Sequence, residues 1–164
     1  MRVLLSLGSN LGDRAANLRH ALDALARWPG VRLGAVSRVY ETEPVGLAEQ
    51  PDFLNAAAEI ETELLPLELL NAVKEIEAAL GRTPSERWGP RVIDIDLILW
   101  EDLMMTEARL TLPHAAFRSR YFVLAPLAEI APEAVDPVTG KTVRALSESV
   151  EAQGRVAGCG PVTP

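Results

Sequence analysis

The chain has 164 residues and a single cysteine, Cys159, which excludes an intramolecular disulfide scaffold. No apolar run approaches the roughly 18–20 residues that a membrane span needs. The opening MRVLLSLGSN is briefly apolar, but Gly8, Ser9 and Asn10 end the run before it reaches the length of a secretory signal core. Basic residues are not in excess: 16 Lys and Arg stand against 23 Asp and Glu, a net charge of −7. A general nucleic-acid surface or an anionic-membrane surface wants the opposite balance, so neither partner is expected. Internal repeats, low-complexity tracts and linkers are also missing. Lysine is scarce, with only Lys74 and Lys141 beside 14 arginines. The arginine fork suits phosphate groups, although genome composition or a hot habitat would leave the same bias.

What remains is 48% hydrophobic and 24% charged, the make-up of an ordinary globular protein and not of a disordered chain. Its length fits one domain with one core. The expectation is a single domain over residues 1–164, monomeric and cytoplasmic, with residues 155–164 as a frayed tail.

Periodicity sets out the elements. Val3–Leu7 is a short apolar strand ended by Gly8. Asp13 is a candidate N-cap, and Leu18, Ala21, Leu22 and Leu25 repeat at helical spacing until Pro29 and Gly30 stop the helix. Val31–Tyr40 reads as a second strand, Glu41–Asp52 as a loop, and Phe53–Thr62 as a third strand. Pro66 stands where a first-turn proline belongs, Leu69, Val73, Ile76 and Leu80 follow one face, and Gly81 ends the helix. After an irregular stretch, Arg82–Pro90, comes the clearest strand, Val92–Trp100. Helical or irregular segments follow at Arg118–Ile130 around Pro126, a turn at Asp136–Gly140, and a helix near Val143–Ala152. The order βαββαβ predicts an α+β, ferredoxin-like two-layer sandwich with extra C-terminal helices. Such a fold hosts many activities, so function must come from particular residues.

In the strand V-I-D-I-D-L-I-L-W, a period of two places Ile93, Ile95, Leu97 and Leu99 on the core face and Asp94 with Asp96 on the other. Two carboxylates so close repel unless a cation sits between them. A hard ion such as Mg²⁺ suits them, because it prefers carboxylate and phosphate oxygens. A bare Asp-x-Asp is more often the wet face of a half-buried strand. Here Arg82, Arg87 and Arg91 lie just upstream, and Arg109, His114, Arg118 and Arg120 lie downstream. Carboxylates amid guanidinium groups describe a metal–polyphosphate site. Surface ion pairs with Glu86, Glu101, Asp102 and Glu107 are the blander reading of the same charges.

These residues also carry a resemblance. Arg87-Trp88-Gly89-Pro90-Arg91-Val92-Ile93-Asp94-Ile95-Asp96-Leu97-Ile98 closely resembles the signature of the 6-hydroxymethyl-7,8-dihydropterin pyrophosphokinase family. The resemblance extends to Gly8-Ser9-Asn10-Leu11-Gly12, Thr42-Glu43-Pro44-Val45-Gly46, Gln50-Pro51-Asp52-Phe53-Leu54-Asn55, Glu77 with Gly81-Arg82, Leu112-Pro113-His114, and Arg120 with Phe122. It implies transfer of the β,γ-pyrophosphoryl group of ATP to the hydroxymethyl group of a reduced pterin, releasing AMP, in folate biosynthesis. It further implies that Asp94 and Asp96 hold two Mg²⁺ ions, and that Arg82, Arg91, His114 and Arg120 contact phosphates. Phe53 and Phe122 would sandwich the pterin, Asn55 would bond its edge, and Thr42, Pro44 and Val45 would complete that pocket. Lys74, Glu77, Ile98, Arg109 and Thr111 fall at positions that line the nucleotide site in that family. Arg82, Arg91, Asp94 and Asp96 would carry catalysis.

Such chemistry needs positioning and charge neutralisation more than a protein nucleophile, so Cys159 has no part in it, and neither has His20 on the first helix. The chain departs from the family at Pro84, where a second arginine is usual, and at Lys74 and Ala115. Two rival classes stand against the enzyme. An RNA-binding module would want a basic sheet face with exposed aromatics, which this acidic chain lacks. A regulatory domain would bind the small molecules without forming AMP. The loops Glu41–Asp52 and Arg82–Pro90 are expected to close over bound substrates.

Overall fold

A computed structural model describes residues 1–44, 49–82 and 89–150, and the backbone of Ala157–Pro161. Strand β1 (Arg2–Ser9) leads to helix α1 (Arg14–Arg27), whose N-cap is Asp13: its carboxylate accepts the Ala16 N–H at 3.0 Å. The buried residues of α1 are Leu18, Ala21, Leu22 and Leu25, the stripe read from the sequence. Gly30, at φ +78°, turns the chain back. The segment expected as one strand is two, β2 (Val31–Val36) and β3 (Arg38–Thr42). The break is Ser37. Its N–H donates to the Ala57 carbonyl at 2.9 Å, and its hydroxyl accepts the Ala57 N–H at 2.8 Å.

Strand β4 (Phe53–Thr62) has the expected bounds. Helix α2 (Pro66–Ala79) begins at Pro66, where the missing N–H costs nothing. Glu68 reaches back to accept the Leu65 N–H at 2.8 Å. Strand β5 (Asp94–Trp100) starts two residues later than expected. A two-strand ribbon, β6 (Met105–Thr106) and β7 (Thr111–Leu112), has no counterpart in the periodicity. A 3₁₀ turn (Phe117–Ser119) then precedes α3 (Tyr121–Ile130) and α4 (Val143–Ser149). The tail expected to fray instead contributes β8 (Ala157–Pro161), paired antiparallel with β3. Backbone bonding to an open sheet edge overrides its glycine-rich composition.

The main sheet runs β5–β1–β4–β3–β8, with β2 also on β4, and every pair is antiparallel. One face buries Val3, Leu5, Leu7, Ile60, Ile93 and Ile95 with the apolar stripes of α1 and α2. The other face is not a simple exposed layer. Leu4, Ala57, Ile98 and Leu99 pack there with Phe117, Leu124 and Leu127 in a second core. The two-layer expectation is therefore too thin: the C-terminal helices cover part of the second face, giving a mixed α+β fold with helices on both sides.

One prediction of facing fails, at Leu99. Leu4 pairs with Leu99 but Leu5 pairs with Leu97, so Ile98 is an extra residue on β5. That bulge reverses the alternation beyond it. Leu99 goes to the second core, and Trp100 joins the first. Asp94 and Asp96, before the bulge, keep their predicted side.

Candidate active site

Beyond the rim of the second core, the same sheet face is bare. Ser6 and Gly8 of β1, Asn55 of β4, and Asp94 and Asp96 of β5 floor a cavity of about 270 Å³. Register brings them together: Ser6 lies opposite Asp96, and Gly8 lies between Asn55 on one side and Asp94 on the other. Thr42, Glu43, Phe53, Gly89, Arg91, His114, Arg120 and Phe122 form the walls. A Cβ at Gly8 would come within 3.2 Å of the Asn55 side-chain oxygen. The absence of a side chain there keeps the floor open.

One part of the cavity is aromatic and neutral. Phe53 opens β4, and Phe122 stands in the first turn of α3. On the floor, buried Asn55 donates its amide N–H to the Thr42 hydroxyl at 2.6 Å. That bond fixes the amide orientation, leaving its oxygen toward Gly8 as an acceptor.

The other part is charged. Helix α2 ends in a left-handed turn at Gly81, φ +94°, and the Arg82 N–H bonds back to the Glu77 carbonyl at 3.0 Å. This closure directs the Arg82 guanidinium onto two carboxylates, Glu77 and, at 2.9 Å, Asp94. Arg91 holds the second oxygen of Asp94 at 3.1 Å. Glu77, only 2% exposed, is satisfied by Arg82, by Lys74 at 3.2 Å and by the Ile95 N–H at 2.8 Å. It ties α2 to β5 across the first core.

Asp96 is different. No ion pair or hydrogen bond reaches its carboxylate among the described residues. Burial, then the repulsion of Asp94, pushes its pKa up to about 7 against the weaker pull of Lys74 and Arg120. His114 is held below the ordinary histidine range by burial and then by Arg120. Its Nδ1 accepts the Ala116 N–H at 3.2 Å, so the neutral ring carries its proton on Nε2. Arg120 lies 5.8 Å from the Phe122 ring centre, linking the charged and aromatic parts.

Of the predicted site residues, the cavity gathers Thr42, Phe53, Asn55, Arg91, Asp94, Asp96, His114, Arg120 and Phe122. Arg82, Glu77 and Lys74 stand behind it as the ion-pair chain that reaches Asp94. Pro44, Arg109 and Thr111 lie outside its wall, and Arg109 bonds Asn71 of α2 at 2.7 Å. The Ile98 side chain is wholly buried in the second core, because the period of two puts it on the same face as Asp94 and Asp96, one step further under the C-terminal helices; its carbonyl accepts the His114 N–H at 2.9 Å. Val45, Pro84, Arg87 and Trp88 lie outside the described residues, as does the side chain of Cys159.

Sequence reasoning assigned no role to Asn10, which is nearly wholly buried. It exchanges two bonds with the Arg91 backbone, at 3.0 and 2.7 Å, and donates to Gln50 at 2.9 Å and the Pro51 carbonyl at 3.1 Å. It thus joins the end of the Glu41–Asp52 loop to the residue that follows the Arg82–Pro90 stretch. Ser6, Gly8 and Gly89 were also missed as lining residues. The signal available was the Gly8-Ser9-Asn10 motif, which names residues but not partners.

Residues 4–132 match the model of the 7,8-dihydro-6-hydroxymethylpterin-pyrophosphokinase family. A 2-amino-4-hydroxy-6-hydroxymethyldihydropteridine pyrophosphokinase of Methylorubrum extorquens is 50% identical over 153 residues, covering 93% of this chain and 96% of its own. The protein of the same name from Pseudomonas aeruginosa is 45% identical over 132 residues, 80% of this chain and 82% of its own. Among solved structures, wild-type HPPK-DHPS of Plasmodium falciparum superposes with a TM-score of 0.72 at 17% identity. It covers 90% of this chain, which spans only 44% of that longer protein, and at this identity it speaks for the fold. Sequence match, fold and the joined aromatic and charged cavity agree: the chain belongs to the 7,8-dihydro-6-hydroxymethylpterin-pyrophosphokinase family.

Proposed function

We propose that this chain transfers the β,γ-pyrophosphoryl group of ATP to the hydroxymethyl oxygen of 6-hydroxymethyl-7,8-dihydropterin, releasing AMP, in folate biosynthesis. The observation that carries the reading is one cavity with two chemistries, an aromatic slot with a fixed amide beside a carboxylate pair ringed by arginines. The slot suits a flat, hydrogen-bonding ring; the charged part suits a polyphosphate.

Phe53 and Phe122 bind the pterin by its faces, while the Asn55 oxygen accepts from its N–H edge. Thr42 holds Asn55 in that orientation. Arg91, Arg120 and the Nε2–H of His114 bind phosphate oxygens, and Arg82 joins them by leaving Asp94. In the transfer, the hydroxymethyl oxygen bonds to the β-phosphorus as the bond from that phosphorus to the α,β-bridging oxygen breaks. AMP leaves with the bridging oxygen, and the hydroxyl proton is released. Most of the acceleration comes from alignment and fixed positive charge, since phosphoryl chemistry asks little covalent help of a protein.

The donor set fits Mg²⁺: two hard carboxylates on one strand face, one of them half-buried and in no ion pair among the described residues. Asp94 and Asp96 would hold two such ions, which when bound neutralise phosphate charge and acidify the substrate hydroxyl. Such ions would take their remaining ligands from phosphate oxygens or water, since Mg²⁺ is commonly bound by one or two carboxylates together with substrate phosphates. We also read the fold as ferredoxin-like. Its support is that the fourth, first, third and second strands of the βαββαβ unit stand side by side as β5, β1, β4 and β3.

The test is AMP formation from ATP and 6-hydroxymethyl-7,8-dihydropterin with Mg²⁺. Release of AMP in step with the pterin diphosphate supports the reading. Binding of both compounds by calorimetry with no AMP would make the chain a regulatory domain instead.

A further inference from the structure

The cavity wall that carries His114, Arg120 and Phe122 is one short stretch of chain, and its middle is weakly held by its own bonds. In the 3₁₀ turn, Phe117 N–H to His114 O is 3.5 Å, Ser119 N–H to Ala116 O is 3.4 Å, and Arg120 N–H to Phe117 O is 3.2 Å. The first two are longer than an ordinary backbone bond and fix the chain poorly. Arg118, at the centre of this stretch, does not line the cavity. Its guanidinium instead grips Asp136 with both arms of the fork, Nε to Oδ2 at 2.6 Å and Nη2 to Oδ1 at 2.9 Å.

Asp136 is 0% exposed and sits in the turn between α3 and α4. The Thr139 hydroxyl donates to it at 2.7 Å and the Val138 N–H at 3.1 Å. Its own N–H bonds the Lys141 carbonyl at 2.9 Å, and its carbonyl accepts from Gly140 at 2.8 Å. Burial raises its pKa, but the bonds from Arg118, Thr139 and Val138 outweigh this and hold it at about 2. The anchor is rigid and ionised. Arg118 also lies 4.9 Å from the ring centre of buried Phe117, so the turn is gripped on two sides.

We propose that Asp136, acting through the Arg118 fork, is a positioning residue for substrate binding, setting the turn that presents His114 and Arg120 to phosphate and Phe122 to pterin. This rests on the function proposed above. A charge-assisted, two-pronged bond to a buried carboxylate supplies the rigidity that the turn's own bonds lack. Displacements near 1 Å in positioning groups are enough to cost up to about a hundredfold in rate. Because one turn serves both parts of the cavity, its loosening weakens both ligands together.

The experiment measures KM and kcat for ATP and pterin, calorimetric affinity for each, and melting temperature. The variants are Arg118→Gln, Arg118→Lys, Asp136→Asn and Thr139→Ala. Arg118→Gln and Asp136→Asn are expected to weaken both ligands in parallel, by about tenfold or more. Arg118→Lys keeps the charge but not the fork and should recover only part of the loss. Thr139→Ala removes one bond to Asp136 without touching Arg118, so it should lower the melting temperature and leave both affinities alone. Should Asp136→Asn fail to fold, Arg118→Lys and Arg118→Gln decide the matter. Unchanged affinities in folded Arg118 variants would overturn the proposal, as would equal losses in Thr139→Ala. Should the wild-type chain bind both ligands but make no AMP, the proposed reaction fails by itself, and the affinity comparison still judges the tether.

Discussion

The two halves of the second sheet face are built from the same three strands and end differently. Under α3 and α4, the strands β1, β4 and β5 present Leu4, Ala57, Ile98 and Leu99, and the surface is closed by apolar packing. A few residues along, the same strands present Ser6, Gly8, Asn55, Asp94 and Asp96, and the surface stays open. What separates them is side-chain volume and charge, together with the bulge at Ile98 that realigns β5 with its neighbour. Burial of apolar area stabilises the first half by about 25 cal/mol per Å². The second half forgoes that gain, placing two acidic groups side by side where packing would favour carbon. Stability and chemistry are thus segregated on one surface.

The sharpest way to break this comparison is to exchange charge for shape. Asp94→Asn and Asp96→Asn should each lower pyrophosphoryl transfer by orders of magnitude at saturating ATP and Mg²⁺, because phosphate neutralisation carries the reaction. Their melting temperatures should part. Asp96→Asn relieves a half-buried carboxylate that Asp94 repels and should raise it, whereas Asp94→Asn takes the ion pair from Arg91 and leaves Arg82 with Glu77 alone, and should lower it. Near wild-type turnover in both would make the carboxylates structural. The covered half should answer in the opposite currency. Leu99→Ala and Ile98→Ala are expected to cost about 2–5 kcal/mol in chemical denaturation, with substrate KM unchanged in the folded fraction. A large KM change there would mean that the halves are not separate.

How much of this contrast the sequence showed depends on range. Asp13, Pro66 and Gly81 are local signals, and α1 and α2 begin and end by them. Strand β4 kept its expected bounds despite its alanines because it is central in the sheet and buried on both faces, where small residues pack. The facing of Asp94 and Asp96 followed from a period of two, but that of Leu99 did not, since a bulge is set by the partner strand. The break at Ser37 likewise depends on Ala57, and strand β8 on the free edge of β3. Asn10 bonds residues 40, 41 and 81 positions away, so no window of sequence could reveal its partners. Phe53 and Phe122 would have passed for core residues without the resemblance.

A smaller effect probes the aromatic slot alone. Phe53→Ala and Phe122→Ala should each weaken pterin binding by about 1–3 kcal/mol through lost burial and stacking. Asn55→Ala should do the same by leaving the ring edge unpaired. Nucleotide affinity of Phe53→Ala and Asn55→Ala, titrated separately, should be almost unmoved; loss of both ligands in those two variants would refute a divided cavity.

The smallest effect lies at the far end of the covered half. Asp136 has a folded pKa of about 2, below the unfolded carboxylate value, so its contribution is complete above pH 4 and is lost as pH falls toward 2. Across that window wild type should lose on the order of 1–2 kcal/mol that Asp136→Asn does not lose, measured as the difference between their denaturation curves at pH 6 and pH 2.5. Parallel acid losses in the two proteins would place the titration elsewhere.

Gly8 gives the divided cavity its passage. Its backbone lies between Asn55, to which we assign the ring, and Asp94, to which we assign the charge. Any side chain at that position would stand up as a partition between two compartments whose contents must exchange a bond. An alanine would crowd the Asn55 oxygen; a larger residue would wall the acceptor off from the donor, leaving two binding sites with no path between them. On the proposed assignment, the smallest residue in the strand is thus the threshold across which the transferred group has to step.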